Sequence, residues 1–516
     1  MTADPAMFRA PPAAEIAAAL ALRLRRRLAR SSDATITDLL ADTVFTERRR
    51  LGKDRAAPSY VAALDDAARA LHLGERTAME HAAVALVEAY AYEIHNPFSA
   101  RTYRFATRIL PAVLTRLLSA TRARDLVGPQ PDVSTRVRLH GPLERLRILS
   151  ATSTLILAPT HVSNLDSPLL GYCMYAAGLP PVAYGAGLNL FENPVMAFFM
   201  QRLGAYTVDR RKRNRLYKEV LKDYSIEILG RGQHSLFFPG GTRSRAGRLE
   251  TRLKKGLLGT GLDAWQESLA AGRDRDVFIV PCTLSMGLVL EAESLIADSL
   301  AEEGKQRHII MDDEFSEPRT IATFVRKVLA LDAAVHVSFG EPMDVMGNPI
   351  DEENRSLDPR GRPMDRRGYV CDRSGALVVD EQRDRLYTQR VADRIASAYQ
   401  RDFVVQSTHL ASWAAWKTLR STRTGTDTWK LVRLSPDEAQ VPRAAVLSQI
   451  ATGLARLASR PAALPATAEG VLDEAIARFA SFHRQRAIDP IGGQLRLAPE
   501  LELYYQNRLA GCPELA

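Results

Sequence analysis

Four short segments of the chain carry residue types that together could activate a hydroxyl and hold an anion. The first, His161-Val162-Ser163-Asn164-Leu165-Asp166, sets an imidazole close to a carboxylate. Histidine suits a general base because its ordinary pKa lies near working pH. A carboxylate can fix its tautomer and stabilise the imidazolium that forms. The second segment, Gly204-Ala205-Tyr206-Thr207-Val208-Asp209-Arg210, ends in fixed positive charge. The third, Phe238-Pro239-Gly240-Gly241-Thr242-Arg243-Ser244-Arg245, puts two arginines in a glycine-rich loop. Such a loop lets backbone N–H groups approach an anion, and arginine contacts phosphate through two parallel bonds. The fourth, Ile279-Val280-Pro281-Cys282-Thr283, is apolar. The set suits group transfer to a hydroxyl of a phosphate-bearing acceptor.

The pattern His-x4-Asp is weak alone, and Ser163 with Asp166 also reads as a helix-capping arrangement. A second copy, His308 to Asp313, has no basic loop at comparable distance behind it and reads as ordinary. The two basic loops downstream of His161, each after a strand candidate, separate the first copy from the second.

The elements that must position these residues follow from the apolar pattern. From about 150 to 345 strands and helices alternate. Strands are expected at Thr154–Pro159, Pro181–Gly185, Ala205–Val208, Ser235–Phe238, Val277–Cys282 and Val335–Phe339. Helices are expected from the end of the first segment to about Ala177, and over Asn193–Leu203, Arg215–Arg231 and Lys254–Ala271. This alternation predicts an α/β layered domain with a mostly parallel sheet. Sites in such folds lie outside the strand C-termini, where His161, Arg210 and Arg243 all fall.

The organisation expected is an N-terminal helical region over 1–135, the α/β domain over 136–345, a charged surface excursion over 346–383 and a C-terminal helical domain over 384–516. The excursion includes a hairpin candidate at Tyr369–Val379. No internal repeat is evident. The uncharged run Ser167–Phe191 is broken by Pro180-Pro181 and several glycines, so it reads as helix, turn and buried strand rather than a bilayer span.

Hydrophobic residues make up 46% and charged residues 25%, as in an ordinary folded protein. The net charge of +9 favours acidic partners. Aromatic residues do not interleave with the arginine clusters as nucleic-acid stacking needs, so no nucleic-acid partner is expected. Cys173, Cys282, Cys371 and Cys512 form no C-x-x-C pair, which implies free thiols in a reducing compartment. The N-terminal apolar stretch contains Glu15 and Arg23 and does not read as a signal peptide. Arg101, Arg104, Arg108, Arg116 and Arg122 share one face of a helical wheel opposite Leu110, Val113 and Leu117. That face reads either as a contact for an anionic membrane surface or as a solvated side of a soluble helix. The expected location is cytoplasmic with peripheral membrane association.

In order and spacing, the four blocks resemble the glycerol-3-phosphate and lysophosphatidate acyltransferase superfamily over roughly 140–345. The resemblance implies His161 and Asp166 as the catalytic pair, Arg210 and Arg243 as contacts for the acceptor phosphate, and Val280-Pro281 as lining of the substrate pocket. Gly241, Thr242, Ser244 and Arg245 are candidate supports of the phosphate loop. The run Ser244–Arg248 and the segment Leu503-Tyr504-Tyr505-Gln506-Asn507-Arg508 look like the large glycerol-3-phosphate branch. The implied donor is a thioester of coenzyme A or acyl carrier protein, as a co-substrate, with no metal and no further cofactor. One departure stands out: the third block usually has Glu directly before its Gly, and this chain has Gly240. The acceptor therefore stays open between glycerol 3-phosphate and lysophosphatidate, and a catalytically silent lipid-binding protein remains a third reading.

Overall fold

The computed structural model describes residues 11–52, 57–107, 136–164, 166–191, 194–273, 275–289, 291–303, 335–480, 483 and 485–515. The second His-x4-Asp copy at His308 and Asp313, Leu165, and Arg108, Arg116 and Arg122 lie outside the described residues.

The centre is a mixed, mostly parallel sheet. Its strands are β1 (Val137–His140), β2 (Thr154–Pro159), β3 (Ala183–Gly187), β4 (Ala205–Val208), β5 (Ser235–Leu236), β6 (Val277–Met286), β7 (Val335–Phe339) and β8 (Met343–Asp344). The spatial order is β1-β7-β6-β2-β5-β3-β4, with β8 also on β6. From β6 to β4 every pairing is parallel. Only β7 and β8 run against β6, and β1 follows β7. All of β2 and β6 is buried, as expected of strands covered on both faces. The expected α/β class is the class observed.

Several elements differ from the sequence expectation. Strand β1 was not foreseen, since its four residues alternate half-buried and exposed and include Arg138 and His140. The helix expected over Lys254–Ala271 is two, Lys255–Leu258 and Thr260–Ala270, parted at Gly259. The C-terminal region is not purely helical: Gln440–Pro442, Ile488–Ile491 and Gln494–Leu497 form a three-stranded antiparallel sheet. Ser167–Phe191 is the helix, turn and strand expected, with Gly178 at φ +68° in the turn.

The residues 343–377 do contain a repeat. Asp344, Asp351, Asp358, Asp365 and Asp372 recur every seven residues, with Gly347, Asn354, Gly361, Gly368 and Gly375 three places after each. In four of the five, the Asp carbonyl accepts the N–H three residues on, at 2.9–3.0 Å, and that residue has positive φ, including Asn354. Each turn closes a short antiparallel bridge, among them Ile350 with Ser356 and Cys371 with Leu377. This is the tight-turn chemistry of hairpins. It was missed because the period is far shorter than that of usual structural repeats.

Both flanks share cores with the sheet. Helices Ala13–Leu28, Asp33–Leu51, Pro58–Leu73 and Arg76–Ile94 pack Ile16, Leu20, Leu40 and Val87 into one cluster with Tyr206, Leu216, Tyr217 and Tyr224. Helices Ser407–Thr422, Ala468–Ala480 and Pro499–Gln506 join Leu157, Val280 and Phe339 in another. Among the described residues no helix is long and apolar enough to cross a membrane.

Candidate active site

His161 follows the C-terminal end of β2, and Asp166 opens the helix Asp166–Ala176. The turn between them folds back so that the imidazole Nδ1 lies 2.8 Å from Asp166 Oδ2. That same oxygen accepts the backbone N–H of Val162 at 2.6 Å and of Ser163 at 3.0 Å. Asp166 is fully buried, and its other oxygen has no hydrogen-bond partner among the described residues. With Nδ1–H donating to the carboxylate, Nε2 is the basic nitrogen, on a side chain that is 17% exposed. The ring stacks on Phe238, with centroids 4.1 Å apart and planes at 23°. The sequence pattern reads both ways in the structure: Asp166 caps a turn and also engages the imidazole.

The third block bends back over the same strand end. Ser244 donates its N–H to the His161 carbonyl at 2.9 Å, and its hydroxyl donates to the Arg248 carbonyl. Gly241 has φ +81° and donates its N–H to the Phe238 carbonyl. Thr242 is exposed. A side chain at Gly241 would strike the Lys254 ammonium, so a further cation stands over this loop. Arg243 lies 3.3 Å from Glu291, and Arg245 pairs with Glu302. The loop lines an open cleft of about 410 Å³ together with Arg248, Arg252 and Asn507.

Arg210 is placed differently. It leaves the sheet after β4, three strands from β2, which at about 4.8 Å per strand is roughly 14 Å. It is exposed, while its neighbour Arg211 pairs with Asp209 at 3.0 Å. Val280 and Pro281 sit within buried β6, in register with Leu157 and Ala158 beneath the His161 turn. The structure thus groups His161, Asp166, Gly241, Ser244 and Arg243 tightly, and leaves Arg210 across the sheet edge.

Two residues of this constellation have no motif in the sequence. Glu291 is buried and accepts the Ser163 hydroxyl at 2.9 Å and the Asn164 N–H at 3.0 Å, besides facing Arg243. It therefore ties the histidine turn to the arginine loop. Burial pushes its carboxyl up, and the Asn164 N–H and Arg243 pull it down. Glu250 accepts the backbone N–H of His161 at 2.8 Å. Among the described residues no group of three His, Cys, Asp or Glu side chains could hold a metal ion.

This strand-edge arrangement is matched by one family model: residues 136–285 fit the acyltransferase family. The matched span contains all four blocks, from His161 to Thr283. Among curated proteins, the glycerol-3-phosphate acyltransferase of Haemophilus ducreyi is 29% identical over 289 residues, covering 56% of this chain and 31% of that protein. The chain thus spans less than a third of that relative's length. Among solved structures, the 1-acyl-sn-glycerophosphate (LPA) acyltransferase PlsC from Thermotoga maritima is 16% identical, covering 62% of this chain and 81% of that one. The TM-score is 0.29, too loose a likeness to argue from.

Proposed function

We propose that this chain moves a fatty acyl group from a thioester donor to a hydroxyl of glycerol 3-phosphate. The observation that carries the reading is the His161–Asp166 pair at 2.8 Å, on a strand end where the Ser244 N–H fastens an arginine loop to the same residue. His161 Nε2 takes the hydroxyl proton as the oxygen attacks the thioester carbonyl. The C–S bond then breaks, and the imidazolium returns its proton to the leaving thiolate. Asp166 holds the ring and stabilises its positive charge. Arg243 and Arg245 meet the acceptor phosphate beside the ring, exchanging their present carboxylate partners for it, and Arg210 closes from across the sheet edge. The donor is a coenzyme A or acyl-carrier-protein thioester, with no further cofactor.

The Haemophilus ducreyi relative and the C-terminal segment Leu503–Arg508 support glycerol 3-phosphate over lysophosphatidate. Peripheral contact with an anionic membrane is part of the proposal. Arg101, Arg104 and Phe105 are exposed on the helical stretch 100–107, and Ser99 donates its N–H to the Arg202 carbonyl at 2.9 Å. That bond sets the stretch beside the exposed ring of Phe198, over which the Arg202 guanidinium lies at 4.2 Å. Apolar rings among arginines suit an interfacial site.

The test is acyl transfer with a small panel of donors and acceptors. His161→Ala should lower turnover by about 10²–10⁴-fold while the chain melts normally. Turnover indifferent to that change removes His161 as the base, and no turnover with any donor or acceptor returns the chain to a lipid-binding role. Preference for the 1-acyl acceptor makes it a lysophosphatidate acyltransferase.

A further inference from the structure

The third block lacks a carboxylate at Gly240, yet a carboxylate occupies the adjoining space. A Cβ built on Gly240 comes 3.0 Å from Glu250 Cγ and 3.1 Å from its Oε1. A side chain at 240 and the side chain of Glu250 thus compete for one place. Backbone conformation is not the reason for glycine here, because Gly240 is absent from the positive-φ glycines that include Gly241 and Gly247. What glycine supplies is room.

Glu250 uses that room to reach β2. Its Oε1 accepts the His161 N–H at 2.8 Å. The residue is partly exposed, but its Oε2 is closed off from solvent and has no hydrogen-bond partner among the described residues. Burial pushes the carboxyl up, while the His161 N–H and the charge of Arg508 pull it down. Removing this acceptor would leave the His161 N–H without its partner, which costs more than the bond itself contributes. His161 is consequently held at three points, its ring by Asp166, its carbonyl by Ser244 and its N–H by Glu250.

We propose that Glu250 carries the carboxylate absent from position 240 and acts as a positioning residue that fixes the His161 backbone over the arginine cleft. This rests on the acyl-transfer reading, which His161→Ala tests separately. Glu250→Ala should lower kcat by about 10- to 100-fold with little change in acceptor KM, as expected for loss of a charged hydrogen bond. Gly240→Glu alone should also lose activity, because the two side chains collide. The double variant Gly240→Glu/Glu250→Ala should recover to within about fivefold of the parent, a rescue in the scale of a conservative replacement.

Glu250→Gln retains an acceptor oxygen, so it should keep at least about a tenth of kcat. Hydrogen exchange at the His161 amide supplies a readout independent of turnover: fast in Glu250→Ala, slow in the parent, the Gln variant and the double variant. Unaltered kcat and amide protection in Glu250→Ala would overturn the proposal. So would a double variant no better than Glu250→Ala, or a Gln variant as impaired as the Ala one. Should the parent transfer no acyl group at all, the functional reading fails, and the amide exchange still decides the role of Glu250.

Discussion

The two basic loops of the site are fastened by opposite ends of the chain, and by different chemistry. The loop after β4 is held by the N-terminal helices through buried charge. Lys212 sits 4.6, 4.8 and 5.4 Å from the ring centroids of Tyr60, Tyr90 and Tyr217 and pairs with Glu93. Asn214 donates to Glu47, a buried carboxylate that also receives Arg50 and Tyr60. The loop after β5 is held by the C-terminal segment through backbone contact. Asn507 donates to the Ala246 carbonyl at 2.8 Å, and Gly247 lies flat against Tyr504. The first arrangement secures a loop whose Arg210 remains free to reach outward. The second presses a loop directly onto His161. The distant anchor lies away from His161, whereas the near one holds a loop that bonds to it.

Disturbing the near loop should therefore do most harm. Gly247 has φ +78°, and an added Cβ would come within 2.2 Å of the Tyr504 carbonyl oxygen. Gly247→Ala combines left-handed strain with a backbone clash and should cost roughly 2–5 kcal/mol. It should also depress kcat, because Ser244 and Arg243 shift with the loop. A variant that melts and turns over like the parent would show that the C-terminal segment does not hold this loop. Lys212→Met is the counterpart at the far loop. It keeps the apolar stem and removes the cation from its three rings, and should cost about 1–3 kcal/mol, since a desolvated cation–π contact is worth about 2. Acceptor KM should rise more than kcat falls. Equal loss in both parameters would mean that the far loop supports His161 as directly as the near one.

The contrast also explains what was legible in the sequence. The alternating apolar runs suffice to expect the α/β class and the strands Thr154–Pro159, Ala205–Val208 and Val335–Phe339, whose bounds recur unchanged in the fold. Residues carried on one short turn, such as His161 and Asp166, can be paired from their spacing once the basic loops behind them single out that copy. Glu291 could not be, because it lies 127 residues beyond Asn164 and meets it only through the sheet. Glu250 had one visible cue, the glycine at 240, but a missing side chain does not say which other one fills its place. Strand β1 was hidden by its polar exposed side, as edge strands often are. The seven-residue turn repeat was readable, since its signal is Asp with Gly or Asn three places on, and it was passed over as charged surface.

Read over a single pH unit, the smallest expected effect separates the two anchors by pH. Glu47, in the N-terminal anchor, has its charge met by three donors. Glu502, in the C-terminal helix Pro499–Gln506, is fully buried, and among the described residues neither of its oxygens has a hydrogen-bond partner within 3.5 Å. Burial pushes its carboxyl up to about 8 from an ordinary value of 4.5, with the nearby Ser412 hydroxyl pulling the other way. The folded chain therefore keeps a proton on Glu502 that the unfolded chain releases above pH 4.5. The folded state binds more protons across that window, so stability is full below it and falls as pH rises through about 8. Between pH 7 and pH 8 this group alone should remove about 1 kcal/mol. Glu502→Gln cannot ionise and should flatten that decline, seen as urea midpoints that converge with the parent at low pH and exceed it at pH 8. Parallel midpoints in parent and variant from pH 5 to 8 would place a compensating positive charge beside Glu502, with Arg508, six residues on and also buried, as the group to replace next.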